Sequence, residues 1–176
     1  MALSIGDRAP DFNLPGVDGR DYTLADFADK PALVVIWSCN HCPTVIAYED
    51  RMVQVERDYA DKSVQFVAIN SNDVSRYPDD SFDNMVERAR KKGFKFPYLH
   101  DESQEVARAY SPSVTPEVFL FDAERKLVYH GRIDDSPDDP SAAKRQDLRD
   151  ALDQLLAGQR IAIADTNPVG CSVKWK

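Results

Sequence analysis

The junction between Ala32–Trp37 and the segment that follows limits this chain most. Ala32-Leu-Val-Val-Ile-Trp37 is apolar at every position and rich in β-branched residues, which predicts a central strand covered on both faces. The run stops at Ser38-Cys39, and the apolar period then changes. Val45, Tyr48, Met52, Val53 and Tyr59 recur near helical spacing with charged residues between them, predicting a helix from Pro43 to Ala60. Cys39-Asn40-His41-Cys42 therefore lies where a buried strand turns into a helix. That carboxyl edge is where open α/β sheets place their chemistry.

The same reasoning extends along the chain. Val64 to Asn70 predicts a second strand. Phe82, Met85, Val86 and Ala89 predict a second helix, with Asp80 or Ser81 placed to cap it and Gly93 to end it. Phe96 to Leu99 predicts a short strand and Gln104 to Tyr110 a short helix. Glu117–Phe121 and Leu127–Gly131 predict a hairpin. The Asp and Pro cluster from Asp134 to Pro140 reads as an exposed loop. Leu148, Leu152, Leu155 and Leu156 mark a closing helix that stops at Gly158. Such an order implies an α/β fold with a central mixed sheet flanked by helices. We expect one domain over residues 1–176, with a β extension at 1–30, a core at 31–158 and a tail at 159–176.

A chain of 176 residues, 43% of them hydrophobic, is long enough for one substantial core. Its formal charge of −8, with no basic run, argues against a nucleic-acid partner. The longest apolar run is far below the roughly 20 residues that a membrane-spanning helix needs. Met1 to Pro10 lacks the charged-then-apolar layout of a secretory signal, so the expected location is cytoplasmic. Three cysteines are too few for a disulfide scaffold, and two of them have a spacing used for redox or metal chemistry.

A thiol must ionise before it attacks a disulfide, and the first turn of a helix favours the thiolate. Cys39 is expected in that turn as the attacking sulfur. Cys42, three residues on, is expected on the same side to resolve a mixed disulfide. His41 between them would stabilise a Cys39 thiolate further. No cofactor is required beyond the redox-active pair. The implied partners are a protein or small-molecule disulfide and a dithiol reductase or oxidant.

The chain resembles the thioredoxin-like superfamily, in the branch shared by bacterial redoxins and the alkyl hydroperoxide reductase/thiol-specific antioxidant family. The resemblance is carried by Pro10-Asp-Phe-Asn-Leu-Pro-Gly-Val-Asp-Gly-Arg-Asp-Tyr-Thr-Leu24, Trp37-Ser-Cys-Asn-His-Cys42 and Val114-Thr-Pro-Glu-Val-Phe-Leu-Phe-Asp122. It implies a thioredoxin-like fold and thiol-disulfide oxidoreductase activity. It also implies a cis peptide before Pro116, against the Cys pair, with Thr115, Pro116 and Trp37 meeting the substrate. The buried acid usual in the superfamily is not assignable, because Leu33 stands in its slot six residues before Cys39.

Two other functions compete. A peroxiredoxin-like thiol peroxidase would want a hydroxyl three positions before its cysteine and an arginine ahead of Phe119-Leu-Phe-Asp122. Ile36 and Pro116-Glu-Val118 stand there, leaving Arg132 as the available substitute. Zinc is the more remote alternative, with Cys39, His41, Cys42, His100, His130 and Cys171 as possible ligands but only one short cluster among them. Asp134 and Asp135 are candidates for proton relay, against a plainer reading as solvated loop residues. Finally, Val169, Val173 and Trp175 make the tail costly to leave in water, so we expect it to dock with Trp175 partly buried. Cys171 would then become a candidate third redox thiol.

Overall fold

The computed structural model describes residues 3–176. Two short strands, β1 (Asn13–Pro15) and β2 (Asp21–Thr23), pair antiparallel and lead into β3 (Ala32–Trp37), which is buried at all six positions. Helix α1 (Pro43–Tyr59) carries the chain back to β4 (Val64–Asn70), which lies parallel to β3 with Val35 opposite Val67. Helix α2 (Phe82–Lys92) leads to β5 (Tyr98–His100), parallel to β4. Helix α3 (Glu105–Tyr110), the two-residue strand β6 (Val114–Thr115) and β7 (Glu117–Phe121) follow. Strand β7 runs antiparallel to β3, with Val35 opposite Phe119, and turns into β8 (Leu127–Gly131). Helix α4 (Asp147–Leu156) and a final short strand β9 (Cys171–Ser172) complete the chain. The main sheet has the order β5-β4-β3-β7-β8, the expected mixed sheet.

Alternation along β3 divides the core in two. Ala32, Val34 and Ile36 face Tyr48 and Met52 of α1, Met85 of α2 and Leu148 and Leu152 of α4. Leu33, Val35 and Trp37 face Phe12, Leu14 and Phe27 of the amino-terminal extension and Ala107 and Tyr110 of α3. With both faces of β3 sealed, its carboxyl end is the place where the chain leaves the core, and the Cys segment starts there.

Two expectations need correction. The strand placed at Phe96 to Leu99 begins later, at Tyr98, because Phe94 and Phe96 stack on each other before the chain joins β4. Asp134 to Pro140 is not simply an exposed loop. Asp134 is 1% exposed, takes a hydrogen bond from Tyr48 Oη (2.9 Å) and pairs with Arg51 (2.9 Å), which also donates to the Ser136 carbonyl. Its carboxylate oxygens are committed to Tyr48 and Arg51. Of the two residues placed to cap α2, Ser81 does so, its side chain accepting from the Asn84 amide, while Asp80 turns inward to the Cys segment.

Candidate redox site

Helix α1 begins at Pro43, a residue suited to a first helical position because its missing N–H would have no partner there. Cys42 is therefore the N-cap, and Cys39 lies three residues before that cap. This corrects the expected placement of Cys39 in the first turn. Both sulfurs are nevertheless brought together and buried, Cys39 at 1% and Cys42 at 0% exposure, and all three cysteines are free thiols. The Thr115–Pro116 peptide is cis, as expected, and lies against the pair. Thr115 Oγ1 is 3.7 Å from Cys39 Sγ, and the Thr115 carbonyl accepts from Cys42 Sγ at 3.6 Å.

The two thiols are coupled, and their interaction pulls the Cys42 pKa down and pushes the Cys39 pKa up. Burial opposes ionisation at both sulfurs, and the Cys171 thiol with the Val45 and Cys171 amides adds to the stabilisation of a charge on Cys42. The interaction with Cys39 before all thus favours the thiolate on Cys42, not on Cys39 as its spacing suggested.

Asp80 is the functional neighbour that the sequence reading missed. It is fully buried, and its Oδ1 accepts from the backbone amides of Asn40 (2.7 Å) and His41 (3.2 Å). Its Oδ2 meets Asn72 Nδ2 (2.8 Å) and His41 Nδ1 (2.5 Å), and the His41 ring stacks on Tyr77. The Asp80 charge is one of the influences that raise the Cys39 pKa, after the Cys42 hydrogen bond and burial. His41 is therefore not a surface residue but the partner of an acid beside Cys39. An Asp just before a capping Ser looks like helix punctuation, so only the fold reveals its aim.

The remaining candidates separate. Trp37, expected to meet substrate, is fully buried, packs on Tyr110 and Phe119 and donates to Ser71 Oγ (3.1 Å), so it belongs to the core. Arg132 is bound to Asp147 (2.7 Å) on α4 and does not offer its guanidinium to the pair. His100 is buried against Phe82, and His130 is held between Glu117 (3.0 Å) and Asp165 (2.8 Å). Among the described residues, the potential metal-ligand atoms that converge are those of Cys39, His41 and Asp80, within 4.8 Å of one another. Three donors are one short of a closed structural zinc set. A groove of about 580 Å³, lined by Asn40, His41, Ile46, Asn84, Arg88 and Lys91 among others, opens beside the Cys segment. Among the described residues no helix is long and apolar enough to cross a membrane.

Comparisons with known proteins agree with this geometry. The chain is 27% identical over 128 residues to the thiol-disulfide oxidoreductase ResA of Geobacillus thermodenitrificans, covering 72% of this chain and 68% of that one. An uncharacterized conserved protein from Geobacillus kaustophilus has the same fold with a TM-score of 0.93 and 43% identity, over 98% of this chain and 93% of that one. A thiol:disulfide interchange protein of the thioredoxin family from Chlorobium tepidum superposes with a TM-score of 0.61 at 24% identity, over 73% and 87% of the two chains, and shows the thioredoxin-like fold alone. The model of the Redoxin family matches residues 4–147, the whole of the sheet and the Cys pair, and the chain belongs to that family.

Proposed function

We propose that the protein is a thiol-disulfide oxidoreductase whose Cys39–Cys42 pair exchanges with disulfides of proteins or small molecules. The observation that carries this reading is the packing of Cys39 and Cys42 in one buried cluster at the β3–α1 junction, with Thr115 against both sulfurs. The ResA relatives support it. Cys39 directly precedes Asn40 and His41, which line the groove, and we assign it as the sulfur that meets an incoming disulfide. As it attacks, its proton passes to Cys42. One substrate sulfur leaves as a thiolate and the other stays bound to Cys39. Cys42 gives that proton to the departed thiolate and attacks Cys39 Sγ, which closes the Cys39–Cys42 disulfide and releases the second thiolate. A dithiol donor reverses the cycle, and flux in the other direction would make the protein an oxidant. A reducing compartment such as the cytoplasm suits three free thiols.

The peroxidase alternative requires preorganised donors for the charge that develops on a peroxide oxygen. Thr115 supplies a hydroxyl near Cys39, but Arg132 is committed to Asp147. Exchange is therefore the reading the site favours.

Replacing Cys42 with Ser removes the resolving sulfur. The variant should accumulate a mixed disulfide on Cys39 when given a peptide disulfide, visible by mass as one added peptide. Sustained turnover by the variant, with no trapped species, would refute the assignment.

A further inference from the structure

The tail is held at two stations. At the first it follows β8: the His130 amide donates to the Ala164 carbonyl (2.9 Å), and the Thr166 amide donates back to His130 (3.0 Å). A side chain at Gly131 would collide with Thr166, so the tail lies directly against that strand end. At the second station β9 pairs antiparallel with β6, Cys171 opposite Thr115 and Ser172 opposite Val114. Gly170 permits this pairing, because a Cβ there would strike the Thr115 carbonyl.

Beyond β9 the chain is anchored, and not by Trp175, which keeps 37% of its surface exposed. Val173 is 5% exposed and its amide donates to the Ser113 carbonyl (3.1 Å). Two buried polar side chains take the next residue: Asn72 Oδ1 accepts from the Lys174 amide (2.9 Å), and Gln104 Nε2 donates to the Lys174 carbonyl (3.0 Å). Buried amides that spend their hydrogen bonds on a tail mark a built docking site.

That docking delivers the third sulfur to the pair. The Cys171 side chain packs on the cluster of Cys39, Cys42 and Val45, and it is with Cys42 that its thiol is coupled in ionisation. We propose that Cys171 is a third exchange thiol, which attacks Cys42 in the oxidised Cys39–Cys42 pair, moves the disulfide to Cys42–Cys171 and frees Cys39. The inference rests on the reading of Cys39 and Cys42 as an exchange pair. In this step the Cys171–Cys42 bond forms, the Cys39–Cys42 bond breaks with its electron pair on Cys39, and the proton lost by Cys171 is taken up at Cys39. One disulfide and one thiol are present before and after, so no further oxidant is needed. While the pair is reduced, burial and the charge on Cys42 hold the Cys171 thiol up. The second influence disappears when Cys42 enters a disulfide, so Cys171 becomes more reactive at the point where it has a target. The oxidised protein then keeps its disulfide beneath the tail and regains a Cys39 thiol beside His41.

The test is disulfide mapping of the full chain carrying Cys39→Ser, oxidised with glutathione disulfide, quenched with acid and digested. The expected result is an intrachain Cys42–Cys171 disulfide in most molecules. Full alkylation of Cys171, or its capture only in intermolecular dimers, would overturn the proposal. Wild-type protein provides a second measurement. Partial oxidation should give both Cys39–Cys42 and Cys42–Cys171, and Cys171 in the reduced protein should alkylate at least tenfold more slowly than in urea. Wild-type protein with Cys39–Cys42 as its sole disulfide, together with a Cys39→Ser variant lacking Cys42–Cys171, would refute the third thiol while leaving the pair intact. Wild-type protein that forms no intrachain disulfide would instead refute the exchange reading itself.

Discussion

His41 Nδ1 lies 2.5 Å from Asp80 Oδ2, and the other oxygen of the same carboxylate receives the amides of Asn40 and His41. The segment between the two cysteines is therefore shaped around a buried anion. The arrangement opposes charge on Cys39 from Asp80 and offsets it through the imidazole whenever that ring is protonated.

Asp80→Asn should act on stability and redox behaviour at once. Removing one partner of a buried, hydrogen-bonded pair typically costs about 3–5 kcal/mol, and the remaining amide contacts should keep the loss to about 2–4 kcal/mol by urea denaturation. With the anion gone, the Cys39 thiolate is easier to form, so the dithiol is favoured and the reduction potential becomes less negative. His41→Ala should shift the potential the opposite way. Equal potentials in the two variants and the parent would show that the carboxylate and imidazole only shape the loop.

Asp134→Ala separates a structural acid from a proton relay. Asp134 accepts from Tyr48 and Arg51, so its loss should destabilise the fold by about 3 kcal/mol. The exchange rate of the folded protein should stay within about twofold of the parent, well under the tenfold that corresponds to 1.4 kcal/mol in a barrier. A hundredfold slower exchange in fully folded variant would restore Asp134 to the chemistry.

His130 should make stability depend on pH. Burial lowers its pKa, but the carboxylates of Glu117 and Asp165 raise it by more, and the net shift is upward. A folded-state pKa above the unfolded value means that the native state holds the proton more tightly. The contribution is complete below the ordinary histidine value of about 6.5 and is lost as pH rises through the folded value. Partial exposure keeps it under about 1 kcal/mol. Thermal melts of the parent and His130→Gln should differ most below pH of about 6.5 and converge above the folded value. A gap that widens with rising pH would reverse the assignment.

Gly170→Ala should unzip β9 from β6, because the added methyl has no room beside the Thr115 carbonyl. Hydrogen exchange read by mass spectrometry should then speed up at the Val173 and Lys174 amides, which the parent protects through Ser113 and Asn72. The β8 amides that bond within the main sheet should stay as slow as before. Unchanged exchange at Val173 would mean that the tail is held elsewhere.

Much of this architecture is legible in the chain, where one physical signal dominates. The full burial of Ala32–Trp37, the span of α1 and the hairpin of β7 and β8 follow from period and composition. Pro116 and the docked tail are also foreseen. Other features are not, because they depend on where distant segments meet. Asp80 is local in sequence to α2, yet it serves a segment 40 residues earlier. Trp37 reads as a neighbour of Cys39, but strand alternation sends its ring to the opposite side of the sheet. The preference for charge on Cys42 depends on its neighbours Cys39 and Cys171, and the fold, not the local pattern, brings Cys171 to the pair.

The central claim is that Cys39 and Cys42 interconvert between dithiol and disulfide. Equilibrating the protein in glutathione buffers, trapping thiols with acid and mapping the disulfides measures this directly. The account predicts one reversible two-electron transition, with a tenfold change in the redox ratio for about 30 mV, an oxidised form in which Cys42 is bonded within the chain, and loss of the Cys39–Cys42 species in either serine variant. A potential near about −270 mV would mark a reductant, and one near −120 to −180 mV an oxidant or isomerase. Failure of Cys39 and Cys42 to form any disulfide with each other, with oxidising equivalents from peroxide ending as sulfenic or sulfinic acid on one sulfur, would contradict it.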